Sequence, residues 1–436
     1  MPWTRDDAEH LSRRAGFGGS IDDVDRLYAL GQAGAIDWLV NYDLVDDPTW
    51  LNDAAFPINA SVDVYGSRVN LLYQFYTSTR PLHTKMLWYW HGHFTTSYLA
   101  CEAFVFRQQM ATYRANAMGN FGVFLQAVFK EAAMLFYLNG NNSNKSGPNE
   151  NYAREVMELY TVGTGVFTEA DVKAAARAFT GWGVTWPDAS VRFDWNQWDN
   201  GPKTILGKTA AFNGDTLSAM LADRPETVKR LTYRLYKYFI NETTFNWTEL
   251  AGYGQKWTAT DGDIRAVMTT ILNGAMFWDP TNRWVLLKTP LDFAFGLMKR
   301  FEIQVDRARM VEVLLGIGGI GYSPFDPVNV SGYRSSAMLT GTSAVLNRFQ
   351  FASKVTIDWA ADATIAKFFV GLIAPVAPAA LVATVAAQMG CKPLAANTTL
   401  ILTAYLGATP IADVDLIQKT REVAYLVACT SEYQLL

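Results

Sequence analysis

Apolar side chains recur at helical spacing along most of this 436-residue chain. In "PETVKRLTYRLYKYFI" (225–240), Leu231, Leu235, Tyr236 and Phe239 fall on one face. "DDAEHLSRRAG" runs helically to Gly16. "SIDDVDRLYALG" opens on Ser20 with acids in its first turn and closes on Gly31, an N-cap and a C-terminal stop. Residues 66–90, with Leu71, Leu72, Phe75, Leu82, Met86 and Trp90, read as one long helix or as two broken near Pro81. The same spacing predicts helices over 103–117, 120–130, 149–162, 168–180, 214–223, 262–274, 288–301, 335–353, 379–388, 396–405 and 412–429.

Two stretches depart from this pattern. "GVTWPDASVRFDWNQWDNG" (183–201) alternates aromatic and polar residues between turn formers, which predicts a β-hairpin or an ordered excursion reaching to about 207. "GYSPFDPVNVSG" (321–332), with two prolines and two glycines, reads as a functional loop or a packed Ω-loop. A third stretch, 368–391, carries no charge and is long enough to cross a bilayer. Pro375 and Pro378 interrupt it, and Pro378 suits the first turn of a short helix, so a core helix is expected there. The fold class expected is mainly α: a large single-domain, multi-helix fold over 1–436, with room for a C-terminal helical subdomain over 306–436.

Composition narrows the function classes. Half the residues are apolar, 18% are charged, and the net charge is −4. That is a globular composition without the basic field that nucleic acid requires. Three cysteines, Cys101, Cys391 and Cys429, are too few and scattered for a disulfide framework. They leave one bridge plus a thiol, or three buried thiols. The opening "MPWTRDDAEHLSRR" lacks the apolar core of a signal peptide, so the chain is expected to be cytoplasmic or to have lost a leader.

Of four histidines, two stand one residue apart in "MLWYWHGHFTTS" (86–97), as His91 and His93. Residues two apart on a helix point about 200° away from each other. The two rings can share a ligand only if the backbone leaves the helix at Gly92, which the β-prone "FTTSY" that follows makes an expected place for a helix end. Histidine suits a metal ion or proton transfer, and equally a core with its nitrogens bonded to backbone. In "GPNENYAREVMELYTVG" (147–163), Glu150, Arg154 and Glu158 form one helical row and Asn151, Glu155 and Glu158 another. Such a helix can supply a general acid, a base or a metal carboxylate, or merely a solvated face. Arg177 in "AAARAFTGWG" can bind an anion or pair with Glu155 or Asp171. Trp182, Trp186, Trp195 and Trp198 can stack on sugars or fill a core. No phosphate loop, serine elbow or HExxH motif is present.

Taken together, "HLSRRAGFG" (10–18), "WHGHF" (90–94), "PNENYAREVMELYTVG" (148–163), "ARAFTGW" (176–182), "KTPLDFAFGLMK" (288–299), "PFDPVNVSGY" (324–333) and "ACTSEYQLL" (428–436) resemble, in order, the motifs of the bacterial family DUF1800. The resemblance implies a large, mainly helical protein, commonly exported to the periplasm or beyond. It also implies a neighbour from a second exported family, DUF1501, as a partner. The motifs include His91, His93, Asn149, Glu150, Asn151, Arg154, Glu155 and Glu158. Gly92 stands where the family usually shows Asn, Trp198 where it usually shows His, and Tyr333 where it usually shows Trp.

The expectation drawn from these residues is an enzyme. His91, His93, Glu150, Arg154, Glu155 and Arg177 would do acid/base or metal-assisted hydrolysis on an extracellular polymer such as a glycan. Trp90, Asn149, Asn151 and Trp182 would hold the substrate, and a divalent metal, if used, would sit on His91, His93 and Glu155. The alternatives are a non-catalytic envelope or assembly protein whose polar motif is a buried network, and a redox metalloprotein with a His₂-carboxylate centre.

Overall fold

A computed structural model describes residues 2–47, 64–333 and 339–436. The fold is mainly α. Among the described residues, the only sheets are two two-stranded antiparallel ones, Trp182–Thr185 with Ser190–Phe193 and Lys203–Ile205 with Lys208–Ala210. The aromatic excursion is therefore a pair of hairpins, with Trp182 opposite Phe193. Pro81 divides the 66–90 region, ending one helix at Val64–Thr77 and starting the next at Pro81–His93. Pro378 opens the Pro378–Gln388 helix at its first turn, where a missing N–H costs no hydrogen bond. Among the described residues, no helix is long and apolar enough to cross a membrane.

Side-chain caps set many of the boundaries. Thr4, Ser20, Thr168 and Thr289 each close a capping box with an Asp three residues on. Gly31 breaks the helix as its position suggests, leaving helical geometry at φ +70, and a second helical segment runs on to Val40. Besides the short Ala132–Tyr137, Ala275–Trp278 and Asp362–Ala366, two longer helices had no clear sequence signal, Trp247–Ala259 and Arg307–Ile320. Both carry glycines that depress helix propensity and are held instead by packing, through buried Leu250, Tyr253 and Trp257 in one and Met310, Val313, Leu314 and Ile317 in the other. The helix expected over 335–353 is seen as Thr342–Ser353, and residues 335–338 lie outside the described part.

The chain forms two compact units interleaved in sequence. The first contains the described residues within Met1–Asn41, Trp278–Ser323 and Arg334–Leu436; the second contains those within Tyr42–Phe277 and Pro324–Tyr333. The second is centred on Trp90, Phe94, Tyr113, Phe124 and Tyr160, with Phe94 5.1 Å from Phe124 and 5.4 Å from Tyr160 between ring centres. In the first, Arg5–Ala15 packs beside Ile21–Val40, and Leu287 pairs with Leu435 as an isolated bridge. All three cysteines are free and half-buried.

Candidate functional site

In the second unit, the Pro81–His93 helix does not end at Gly92. It remains helical to His93, and the Phe94 N–H donates to the Trp90 carbonyl. His91 and His93 therefore leave the helix in opposed directions. The close approach at Gly92 depends on Gly332, on which a β-carbon would lie 2.4 Å from the Gly92 carbonyl oxygen, whereas one on Gly92 would meet only the Tyr333 ring at 3.5 Å.

His91 is fully buried, with Nδ1 3.0 Å from the Tyr333 hydroxyl. That hydroxyl also accepts the Phe325 N–H. The His91 Nε2 has no hydrogen-bond partner among the described residues. Burial lowers the His91 pKa to about 3. His93, on the other side, donates from Nε2 to the Tyr160 carbonyl at 3.1 Å and is held neutral by burial and by Arg234. Among the described residues, no three His, Cys, Asp or Glu side chains gather to hold a metal ion, so His91, His93 and Glu155 do not form a ligand set.

Asn149 caps the motif helix. Its Oδ1 accepts the Tyr152 N–H, and its amide donates to the carbonyls of Leu138 and Asn139. Glu150 and Asn151 are exposed. Arg154 forks onto Glu169 of the following helix, at 2.7 and 2.6 Å, rather than onto Glu150 or Glu158. Arg177 forks onto Asp199, at 2.6 and 3.0 Å, instead of Glu155 or Asp171. Asp171 takes the Leu206 N–H and closes its own capping box. Trp90 and Trp182 are packed, Trp90 wholly buried with its indole N–H on the Ala117 carbonyl, and Trp182 against Phe129 and Phe193.

Glu155 is different. The α-helix Glu150–Glu155 widens there into a π-turn, Val156–Tyr160, with the Thr161 hydroxyl on the Val156 carbonyl. Glu155 is half-buried, and among the described residues it has no ion pair. Burial first, and then the neighbouring Glu158, raise its pKa, against a lowering pull from Arg154. Its charge acts on Tyr137 and Tyr160, and Asp326 also acts on Tyr137. Asp326 accepts the Ser97 hydroxyl at 2.6 Å and lies in the 321–332 loop. Beside Tyr137, the ring of Phe136 stacks on the exposed Trp186, 5.7 Å between centres.

The first unit holds a cluster that the sequence reading passed over. Glu9 and Arg13, one helical turn apart, are buried, and Arg300 reaches the same Glu9 oxygen. A β-carbon on Gly390, which has φ +60, would strike that oxygen at 2.2 Å. Lys288 is buried with its ammonium 3.3 Å from the centre of the Tyr433 ring, and burial draws its pKa down to about 7. Arg348 ties the Lys288 carbonyl to the Gln434 side chain.

The family model described as Protein of unknown function (DUF1800) matches residues 10–435. The chain belongs to DUF1800. No match was found among curated proteins or among solved structures.

In this DUF1800 chain the family motifs divide between the two units. "HLSRRAGFG", "KTPLDFAFGLMK" and "ACTSEYQLL" all contribute to the Arg13–Lys288–Tyr433 cluster. "WHGHF", "PNENYAREVMELYTVG" and "PFDPVNVSGY" meet around His91 and Glu155. One signal for the missed cluster was present. A helix that is core-facing at Ala8, Leu11 and Ala15 also carries Glu9, Arg13 and Arg14 within the same two turns, and every residue from Ala8 to Ala15 is buried.

Proposed function

We propose that this DUF1800 protein is an acid/base hydrolase of an extracellular polymer such as a glycan, with Glu155 as the general acid. The observation that carries the reading is the half-buried, unpaired Glu155, whose pKa burial and Glu158 raise. Glu155 gives its proton to the leaving oxygen, and Asp326, whose charge also acts on Tyr137, takes a proton from the attacking water. The Phe136–Trp186 stack supplies an aromatic platform for a sugar face. His91 and His93 hold the helix in place and take no part in proton transfer.

The test is release of soluble fragments from a panel of bacterial envelope glycans, read by mass spectrometry. Wild type is expected to release fragments. Glu155→Gln is expected to slow release by about 10²–10⁴-fold with an unchanged melting temperature. Because the acid must carry its proton, the rate should fall as pH rises through the raised pKa of Glu155. An unaltered rate in Glu155→Gln, or no release by wild type, overturns the reading.

A second reading, a non-catalytic protein with a buried polar network, draws support from the complete burial of His91 and His93. It predicts that Glu155→Gln lowers the melting temperature.

A further inference from the structure

We propose that a row of cations on the Pro225–Phe239 helix of the second unit, with the rings beside it, binds a chain of hexuronic acids, so that the polymer taken by this protein is an acidic glycan. The proposal rests on the glycan reading above for the cutting of that polymer, and the binding is measured apart from any cutting. Arg230, Arg234 and Lys237 stand at i, i+4 and i+7, on the face opposite the buried Leu231, Leu235 and Phe239, and Tyr233 stands among them. Seven helical steps carry the row over about 10 Å.

No acid matches these cations. Among the described residues, Arg230, Arg234 and Lys237 make no ion pair with a carboxylate, in a chain whose net charge is −4. Glu226, one turn before the row, takes the fork of Arg224 at 3.1 Å. Glu249, close to the rings in sequence, takes the Tyr253 hydroxyl and the Met276 N–H. Glu158 acts on Arg230 without pairing with it. Arg230 joins the row to the site already described. Its Nη2 donates to the Leu159 carbonyl at 3.3 Å, inside the π-turn that follows Glu155, and a β-carbon on Gly163 would lie 3.1 Å from its Nη1. The Arg230 Nε is sealed from water and takes no part. Arg234, beside the Tyr89 hydroxyl, and Lys237 are half-buried and keep their nitrogens open to solvent.

Beside Lys237 lies a shelf of rings. The Lys237 ammonium is 5.8 Å from the centre of the Tyr233 ring, Phe245 is 4.8 Å from Tyr233, and Trp247 lies parallel to Tyr233 at 6.3 Å. Trp247 is 64% exposed, so a broad apolar ring faces water next to unpaired cations. A hexuronic acid has the two features that meet this surface: a ring face of C–H bonds that stacks on an aromatic, and a carboxylate that takes a charged N–H donor. Repeated along a polymer, the carboxylates meet Lys237, Arg234 and Arg230 in turn and lead the chain to the π-turn after Glu155. A nucleic-acid strand also pairs rings with cations, but it draws its affinity from a longer basic track than three cations in an acidic chain supply.

The full chain, as wild type and as Glu155→Gln, is titrated calorimetrically with hexamers of galacturonic acid and of mannuronic acid. Maltohexaose serves as the neutral hexamer and a thymidine hexanucleotide as the other polyanion. Saturable, salt-weakened binding of at least one hexuronate is expected in both forms, with no binding of maltohexaose or the hexanucleotide. Arg234→Gln and Trp247→Ala should each weaken it by about tenfold. Lys229→Gln, which removes an exposed cation off the row, should change it by less than about twofold. Trp247→Ala alters an exposed ring, and decides the matter should Arg234→Gln fail to fold. Binding of neither hexuronate, equal binding of maltohexaose or the hexanucleotide, an equal loss in Lys229→Gln, or unweakened binding in Trp247→Ala overturns the proposal. Hexuronate binding in a wild type that releases no fragments overturns the hydrolase reading and upholds this one.

Discussion

His91, by burial alone, and His83, by burial with help from Arg114, show how loss of water sets a protonation state. Both have pKa values lowered to about 3, principally by loss of water around the charged form. A histidine whose folded pKa lies below its unfolded value supports the fold above the unfolded pKa and loses that support as pH falls toward the folded one. Between pH 6.5 and about 3 the stability of the second unit should therefore decline, by ~2 kcal/mol per histidine at pH 5. Urea midpoints measured at pH 7.5 and pH 5 check this, and His91→Gln should show a smaller difference between them. The sequence made the pair conspicuous but not its geometry. The Tyr333 hydroxyl that meets the His91 Nδ1 lies 242 positions away, and no local spacing announces it. Asn149 shows the same gap: its place before the helix was legible, but not that its amide would also tie down the carbonyls of Leu138 and Asn139.

At the scale of elements, the 324–333 segment and the Pro81–His93 helix touch backbone to backbone. Gly332 has φ +104, and its missing β-carbon leaves room for the Gly92 carbonyl. Gly332→Ala should destabilise the second unit by about 1–3 kcal/mol, from contact and backbone strain together, in a urea melt. An unchanged midpoint would show that the segment yields freely. Helices with an apolar stripe and a cap, such as Thr4 before Arg5–Ala15, were readable because cap and stripe are local. Trp247–Ala259 and Arg307–Ile320 were not, because their glycines weaken the local preference that distant packing restores. The π-turn after Glu155 was equally hidden: a widened turn has the same composition as the helix it interrupts, and it alters how Glu155 and Glu158 stand beside each other.

At the scale of the molecule, buried charge and surface charge carry different weight. Glu9→Gln leaves Arg13 and Arg300 buried against a weaker partner and should cost about 3–5 kcal/mol, measured by chemical unfolding. Removing the exposed partner in Glu169→Gln should leave the same midpoint nearly unmoved. The mainly helical class followed from composition and period. The interleaving of two units did not, since each apolar stripe shows only that it is covered and not by which part of the chain.

That interleaving has a consequence for synthesis. Arg13 meets the Gly390 carbonyl 377 residues later, and at about 5–20 residues per second the ribosome needs roughly 20–75 s to make that length. Through that interval the Ile21–Val40 segment is at hand to pack beside the first helix, but Glu9, Arg13 and Arg14 wait for their final cover while most of the second unit emerges and can fold. The chain is thus obliged to fold from its middle outward, and its opening helix is the segment for which a chaperone has longest to wait.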